Sequence, residues 1–334
     1  MKYTHSLFAA LLLFIISFTS CTNKQTETTD TTQKADTIKQ PEMGHDTPPY
    51  PTDSANFQGG FQPKSLTTVI EDTYLMTDSL LKNKSDVLIH VGDTIYIDTT
   101  ATHFKSKAWL EAVYAVTFYK YHKRTKGFLA MDKLAAAKKK LSDGNIFLFA
   151  YVRWDKNNSN DGNGDSVLFG RAMVTDPTFK TLASKDMEVI GGIVDQDGSQ
   201  SYYNTLGVTI KPPMGLRNVI NVVDLYMYYD ADAYVNGHII LLWDGKQIQS
   251  GFQTYESIDA SAYSQEEYPI YPAQPGGIAD KILHIGVYIQ YDLDTEKETA
   301  HDSIVVQYGW TPEKGLAMED TIFTSVKKKL KKKK

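Results

Sequence analysis

Across residues 61–326 the apolar residues recur mainly with a period of two, in short runs bounded by Gly, Asp, Asn and Pro. A chain patterned this way buries one face of each strand and wets the other, so it must fold mostly as sheet. Val87-Leu88-Ile89-His90-Val91 leads through Gly92-Asp93 into Thr94-Ile95-Tyr96-Ile97, a hairpin-like unit. Leu110, Ala112, Tyr114, Val116 and Phe118 alternate in a run rich in β-formers. Ile146–Trp154 and Ser166–Val174 flank a polar loop, and Asn218–Tyr229 and Gly237–Trp243 follow. Asp244-Gly245 is a two-residue hairpin signal before Lys246–Phe252. Ile282–Tyr291 and Ser303–Tyr308 make a last hairpin across an acidic loop. The expected class is mainly β, as one or two β-sandwich-like domains with at least one short helix. That helix is expected at Met131–Leu141, where alanines and leucines dominate and Gly144 stands near the end. Lys211-Pro212-Pro213-Met214-Gly215 is the best internal breakpoint, dividing the body into 61–215 and 216–326.

The ends of the chain read differently. Residues 1–20 hold one lysine and then an apolar run from Leu7 to Phe18, the size of a signal peptide. No later stretch approaches the length of an apolar membrane span. The tetrad Phe18-Thr19-Ser20-Cys21, with Phe where Leu is usual, resembles the lipobox of bacterial lipoproteins, and Cys21 is the only cysteine. The resemblance covers the first 21 residues and implies cleavage after Ser20 and acylation (palmitate among the chains) of Cys21. Thr22 at the following position implies sorting to the outer membrane, with the body periplasmic or surface-exposed. Acyl chains would hold the protein on a membrane without spanning it.

Residues 21–60 then form a Thr/Pro-rich tether with no apolar run able to offset chain entropy. It would span about 130 Å extended and roughly 35 Å as a coil. Twelve of the 28 aspartates are followed by Ser or Thr, and nine of those continue with Ala, Ile, Leu, Val or Thr. This excess resembles the Asp-Ser/Thr-aliphatic sequon for O-glycosylation in bacterial envelope proteins, and makes Thr31, Thr37 and Ser54 the tether's candidate acceptors. The same dipeptide also serves turns and strand starts.

Motifs for chemistry are scarce. There is no Gly-x-Ser-x-Gly, phosphate loop, Gly-x-Gly-x-x-Gly or His-Glu-x-x-His, and the eight histidines have no metal-ligand spacing. No motif requires a cofactor; calcium is the one the residues suggest. In the loop from Asp155 to Asp165, the residues Asp155, Asn157, Ser159, Asp161 and Asp165 offer hard oxygens, and Gly162 and Gly164 allow the chain to wrap an ion. A solvated hairpin loop would use the same residues. Tyr255, Tyr263, Tyr268 and Tyr271 fall with three prolines in a 26-residue segment, Tyr255–Asp280, which reads as a long recognition loop, with Trp243 close before it. Flat aromatic faces suit sugar rings or peptide strands.

The charge balance narrows the partners. The net charge is −5, yet setting aside Lys2 and the seven lysines of Lys327–Lys334 leaves −13 for residues 21–326. An acidic body of this kind repels nucleic acid. The expectation is a non-catalytic, outer-membrane-anchored binding module for an envelope or extracellular ligand, glycan or protein. The alternatives are a structural subunit of an envelope assembly, or a glycan-directed hydrolase whose carboxylates no motif identifies.

Overall fold

The computed structural model describes residues 66–104, 112–120, 123–156, 166–194, 205–228, 234–259, 263–292 and 297–327, all within one compact unit, Ala55–Lys334. They form eighteen strands in three antiparallel sheets. The mainly-β reading is what is found. Among the described residues no helix is long and apolar enough to cross a membrane.

The first sheet contains β1 (Leu66–Thr68), β2 (Thr73–Met76), β3 (Lys84–Ile89), β4 (Thr94–Phe104), β5 (Ala112–Lys120) and β6 (Lys123–Ala130), in the order β1-β4-β5-β6-β2-β3. Gly92, at φ 89°, makes the expected turn between β3 and β4. The two strands are not partners, however: β3 pairs with β2, while β4 pairs with β1 and β5. A turn signal locates a reversal but not the strand that follows it home.

The second sheet is β10-β9-β8-β7, built from β7 (Ala137–Lys140), β8 (Ile146–Lys156), β9 (Ser166–Thr175) and β10 (Thr181–Val194). Here the helix expected at Met131–Leu141 is corrected. Only Met131–Lys133 winds, as a single 3-10 turn, and Ala137–Lys140 is a strand on β8. Leu134 bridges to Val69, the Ala135 N–H donates to Thr68 O, and the Ala136 N–H donates to Phe149 O. The segment is strung between two sheets and pairs with both, and those tertiary bonds override alanine's local preference. Its small side chains, 5% and 9% exposed at Ala135 and Ala136, fit where a larger residue would hold the sheets apart.

The third sheet is an eight-stranded meander in chain order: β11 (Thr205–Lys211), β12 (Asn221–Tyr228), β13 (Tyr234–Trp243), β14 (Ile248–Asp259), β15 (Tyr263–Ile270), β16 (Lys281–Tyr291), β17 (Glu298–Thr311) and β18 (Gly315–Lys327). Lys211–Gly215 links β11 to β12, which pair in unbroken register from Thr205↔Tyr228 to Lys211↔Val222. The β13–β14 hairpin forms at Asp244-Gly245, with Gly245 at φ 93°. Its connection is four residues rather than two, because Asp244 Oδ1 accepts the backbone N–H groups of Lys246 and Gln247. The segment Tyr255–Asp280 is not a single loop: β14 runs on to Asp259, β15 occupies Tyr263–Ile270, and the loop proper is 271–280.

The largest core cluster draws on all three sheets, with Ile89, Ile95 and Phe118 from the first, Phe147, Phe149 and Val174 from the second, and Leu225, Leu241 and Trp243 from the third. A second cluster sits on the other face of β8 and β9, where Leu148, Ala150 and Met173 meet Ile70 and Ala135. A third gathers Val222, Ile240, Leu242, Phe252, Tyr271, Ile282 and Trp310. β8, β12 and β13 thus bury both faces, which is why their sequences run apolar instead of alternating.

Candidate functional site

The residues marked by sequence are dispersed. Cys21, Thr31, Thr37 and Ser54 lie outside the described residues, as do Asn157, Ser159, Asp161 and Asp165; Asp155 is placed as a residue of β8. Among the described residues no three His, Cys, Asp or Glu side chains gather where they could hold a metal ion. Trp243 is 1% exposed in the largest core cluster and donates its indole N–H to Asp143 Oδ2 at 2.7 Å. Tyr271, also 1% exposed, belongs to the third cluster. Burial raises the pKa of its hydroxyl, and the charge of Asp224 adds to that. Tyr263 is exposed on the sheet, whereas Tyr255 and Tyr268 are half-buried. These five aromatic residues do not share one flat face.

Tyr255 instead borders a polar cluster that no sequence motif announces. β14 and β15 pair only over Glu256–Asp259 and Tyr263–Glu266, then part. Freed of a ladder partner on that side, β15 tolerates Pro269. Glu267 fills the gap. Its Oε1 accepts Gln265 Nε2 at 2.8 Å and the Tyr288 hydroxyl at 3.0 Å. Its Oε2 accepts the Tyr255 N–H at 3.3 Å and lies 3.1 Å from His284 Nε2. Gly286 is the cross-strand partner of Glu267, so no side chain stands opposite, and His284 and Tyr288, two residues to either side, reach the carboxylate. The imidazole stacks on Phe252 at 5.2 Å, and the Tyr308 ring stacks on the same Phe252 at 5.8 Å.

Burial raises the Glu267 pKa, but the hydrogen bonds from His284, Gln265 and Tyr288 outweigh it and hold the carboxyl below the ordinary glutamate value. Burial and the Glu267 charge together push the Tyr255 phenol up to about 12. Four donors fill the acceptor sites of a carboxylate, so Glu267 is suited to fixing its neighbours and not to exchanging protons. A second buried acid, Asp224, lies 2.8 Å from both Lys211 Nζ and His238 Nδ1. Burial raises its pKa and the His238 and Lys211 contacts lower it further than that, again leaving a held carboxylate.

The outer face of the first sheet offers a different chemistry. Ile95, Ile97, Val116 and Phe118 point into the core, so Tyr96 and Tyr119 point out, 49% and 51% exposed. Their rings meet edge to face, centroids 5.3 Å apart at 77°. Leu66, Tyr96, Thr117 and Lys126 are successive cross-strand partners across β1, β4, β5 and β6, and Tyr119 is partnered by Arg124. The result is an open aromatic step with an aliphatic residue on one side and two cations on the other. Its signal was present in the sequence as aromatics set out of phase with the inward Ile, Val and Phe. Comparison with known protein families and with curated protein sequences finds no match to this chain.

Proposed function

We propose that the chain is an outer-membrane-anchored lipoprotein whose β-rich body is a non-catalytic binding module for an envelope or extracellular glycan. The Phe18–Cys21 tetrad supplies the anchor, and the Thr/Pro-rich tether supplies the reach to hold the body clear of the bilayer. The observation that carries the reading is the exposed Tyr96–Tyr119 pair. Sugar rings carry apolar C–H faces, and a tyrosine gives them a flat, rigid partner with a polar tip. Arg124 and Lys126 on the same face favour ligands that carry hydroxyl or carboxylate oxygens. Affinity electrophoresis of the protein through soluble envelope polysaccharides tests the reading. Retardation by at least one of them, abolished by Tyr96→Ala with Tyr119→Ala, is the expected result.

A second reading, a subunit of an envelope assembly, draws on the half-exposed apolar surface of β15–β18. Cross-linking in intact envelopes separates the two, since an assembly subunit is recovered with fixed protein partners and without glycan affinity.

A further inference from the structure

The chain has four arginines, and three of them are committed. Arg171 forks onto Asp186, its Nε donating to Oδ1 at 2.6 Å and its Nη2 to Oδ2 at 3.0 Å. Arg217 Nε donates to Asp280 Oδ1 at 2.7 Å, and the Arg153 guanidinium lies 3.9 Å over the Phe169 ring. Arg124 is the exception. It is exposed, and among the described residues it has no ion pair, hydrogen bond or ring contact. In so acidic a body an arginine ordinarily finds a carboxylate, so a guanidinium left open needs a reason.

The strands around it keep carboxylates away. β5 and β6 hold no Asp or Glu. Arg124 is the cross-strand partner of Tyr119, one ring of the open aromatic step. Lys126, two residues along the same face, is also exposed and without a partner among the described residues. Lys84, joined to this face through Met76 and Phe128, is engaged instead, its ammonium 3.3 Å over the Tyr74 ring. Asp98 stands two residues beyond Tyr96 on β4, with β5 between it and Arg124, and has a partner of its own. Side chains two apart on a strand face are about 7 Å from each other, so Arg124 and Lys126 repel until an anion lies between them.

The open fork specifies that anion. The parallel N–H groups of a guanidinium match the two oxygens of a carboxylate, as Arg171 shows on Asp186. A uronic acid carries its carboxylate at the edge of a sugar ring. Directly opposed side chains on neighbouring strands are about 5 Å apart, so a ring seated on Tyr119 brings that edge to Arg124. A neutral sugar offers the fork only hydroxyls.

We propose that the Tyr96–Tyr119 step binds an acidic polysaccharide, the tyrosines seating a uronic acid ring while Arg124 clamps its carboxylate and Lys126 attracts the next one. This rests on the glycan-binding reading and narrows it to carboxylated sugars. Titration calorimetry of the full chain in detergent tests it, with polygalacturonate, alginate and hyaluronan each set beside its carboxyl-reduced form, which keeps the linkages and replaces each carboxylate with a neutral hydroxymethyl group. The parent is expected to bind at least one acidic form roughly tenfold or more tighter than its reduced form. Arg124→Gln and Arg124→Lys are both expected to lose that preference at an unchanged melting temperature, the lysine because it keeps the charge without the fork. A parent that binds acidic and reduced forms equally, through Tyr96 and Tyr119, overturns this proposal and leaves glycan binding standing. A parent that binds neither form of any of them overturns it as well, and neutral envelope polysaccharides then decide whether the broader reading falls too. Parent-like binding by Arg124→Lys overturns the clamp. Dextran sulfate bound as tightly as the acidic polysaccharides overturns carboxylate recognition in favour of bulk charge.

Discussion

Glu267→Gln probes the parting of β14 and β15 directly. Each carboxylate oxygen serves two partners, Gln265 and Tyr288 on Oε1, Tyr255 and His284 on Oε2. An amide nitrogen at either place meets two donors where it needs acceptors. Hydrogen bonds to an ionised group are worth about 1.5–3 kcal/mol each, and the Tyr288 hydroxyl or the imidazole can reverse to recover part of the loss. The side chains of Glu267 and His284 are only 9% and 16% exposed, so solvent replaces little of it. The net cost is therefore about 2–3 kcal/mol, or roughly 5–10 °C in melting temperature for a body of this size. The pH dependence has a definite sign. Because the folded-state pKa of Glu267 lies below the ordinary 4.5, the ionised form stabilises fully above that value. The contribution is lost as the pH falls through the lower folded-state pKa, so the gap between parent and variant closes only in acid. Thermal unfolding followed by tyrosine and tryptophan fluorescence at pH 7 and in an acid series measures both effects. A variant melting within about 1 °C of the parent at pH 7 would refute the four-donor account.

Three further outcomes are expected. Gly286→Ala places a Cβ 2.8 Å from Ile304 Cγ2 and 3.1 Å from the Tyr288 ring, and should cost about 1–3 kcal/mol in urea denaturation; a neutral result would mean that the ring does not need the space above Gly286. Calcium binding by Asp155, Asn157, Ser159, Asp161 and Asp165 should show as a melting temperature lowered by chelator and restored by Ca2+, and an identical melting temperature under both conditions rejects the ion. Cys21→Ala should abolish incorporation of labelled palmitate and release the protein from the membrane fraction, whereas retention there would place the anchor elsewhere.

Much of the fold was legible because strand alternation records burial. Tyr114, Val116 and Phe118 are inward residues of β5, and the Ile282–Tyr291 and Ser303–Tyr308 runs pair as β16 and β17. The reading failed where tertiary bonds outweigh local preference. Met131–Leu141 has a helix-former's composition, yet its backbone bonds to Thr68 and Phe149 in two different sheets. Tyr255–Asp280 looked like a loop because Pro269 and Pro272 punctuate it, but a strand released from one neighbour accepts a proline. The acid clusters were illegible for another reason. Glu267 meets His284 and Tyr288 through strand register, and Asp224 meets Lys211 and His238 in the same way, at separations that no motif encodes. The Asp-Ser/Thr excess is partly turn chemistry: Asp78 Oδ atoms accept the N–H groups of Leu80, Lys82 and Asn83, and Asp93 Oδ2 accepts that of His90. That accounts for the dipeptide at those two places.

The most direct test of the central claim is a binding isotherm of the full chain, in detergent, against polysaccharides purified from its own envelope. Contacts of the two tyrosines with a sugar contribute about 1–3 kcal/mol together, so Tyr96→Ala with Tyr119→Ala should weaken binding roughly tenfold to a hundredfold. Both side chains are half exposed on the solvent face of β4 and β5, so the melting temperature should hold while affinity falls. Equal affinity of parent and variant, or a parent that binds none of the polysaccharides, would contradict the proposed glycan-binding role.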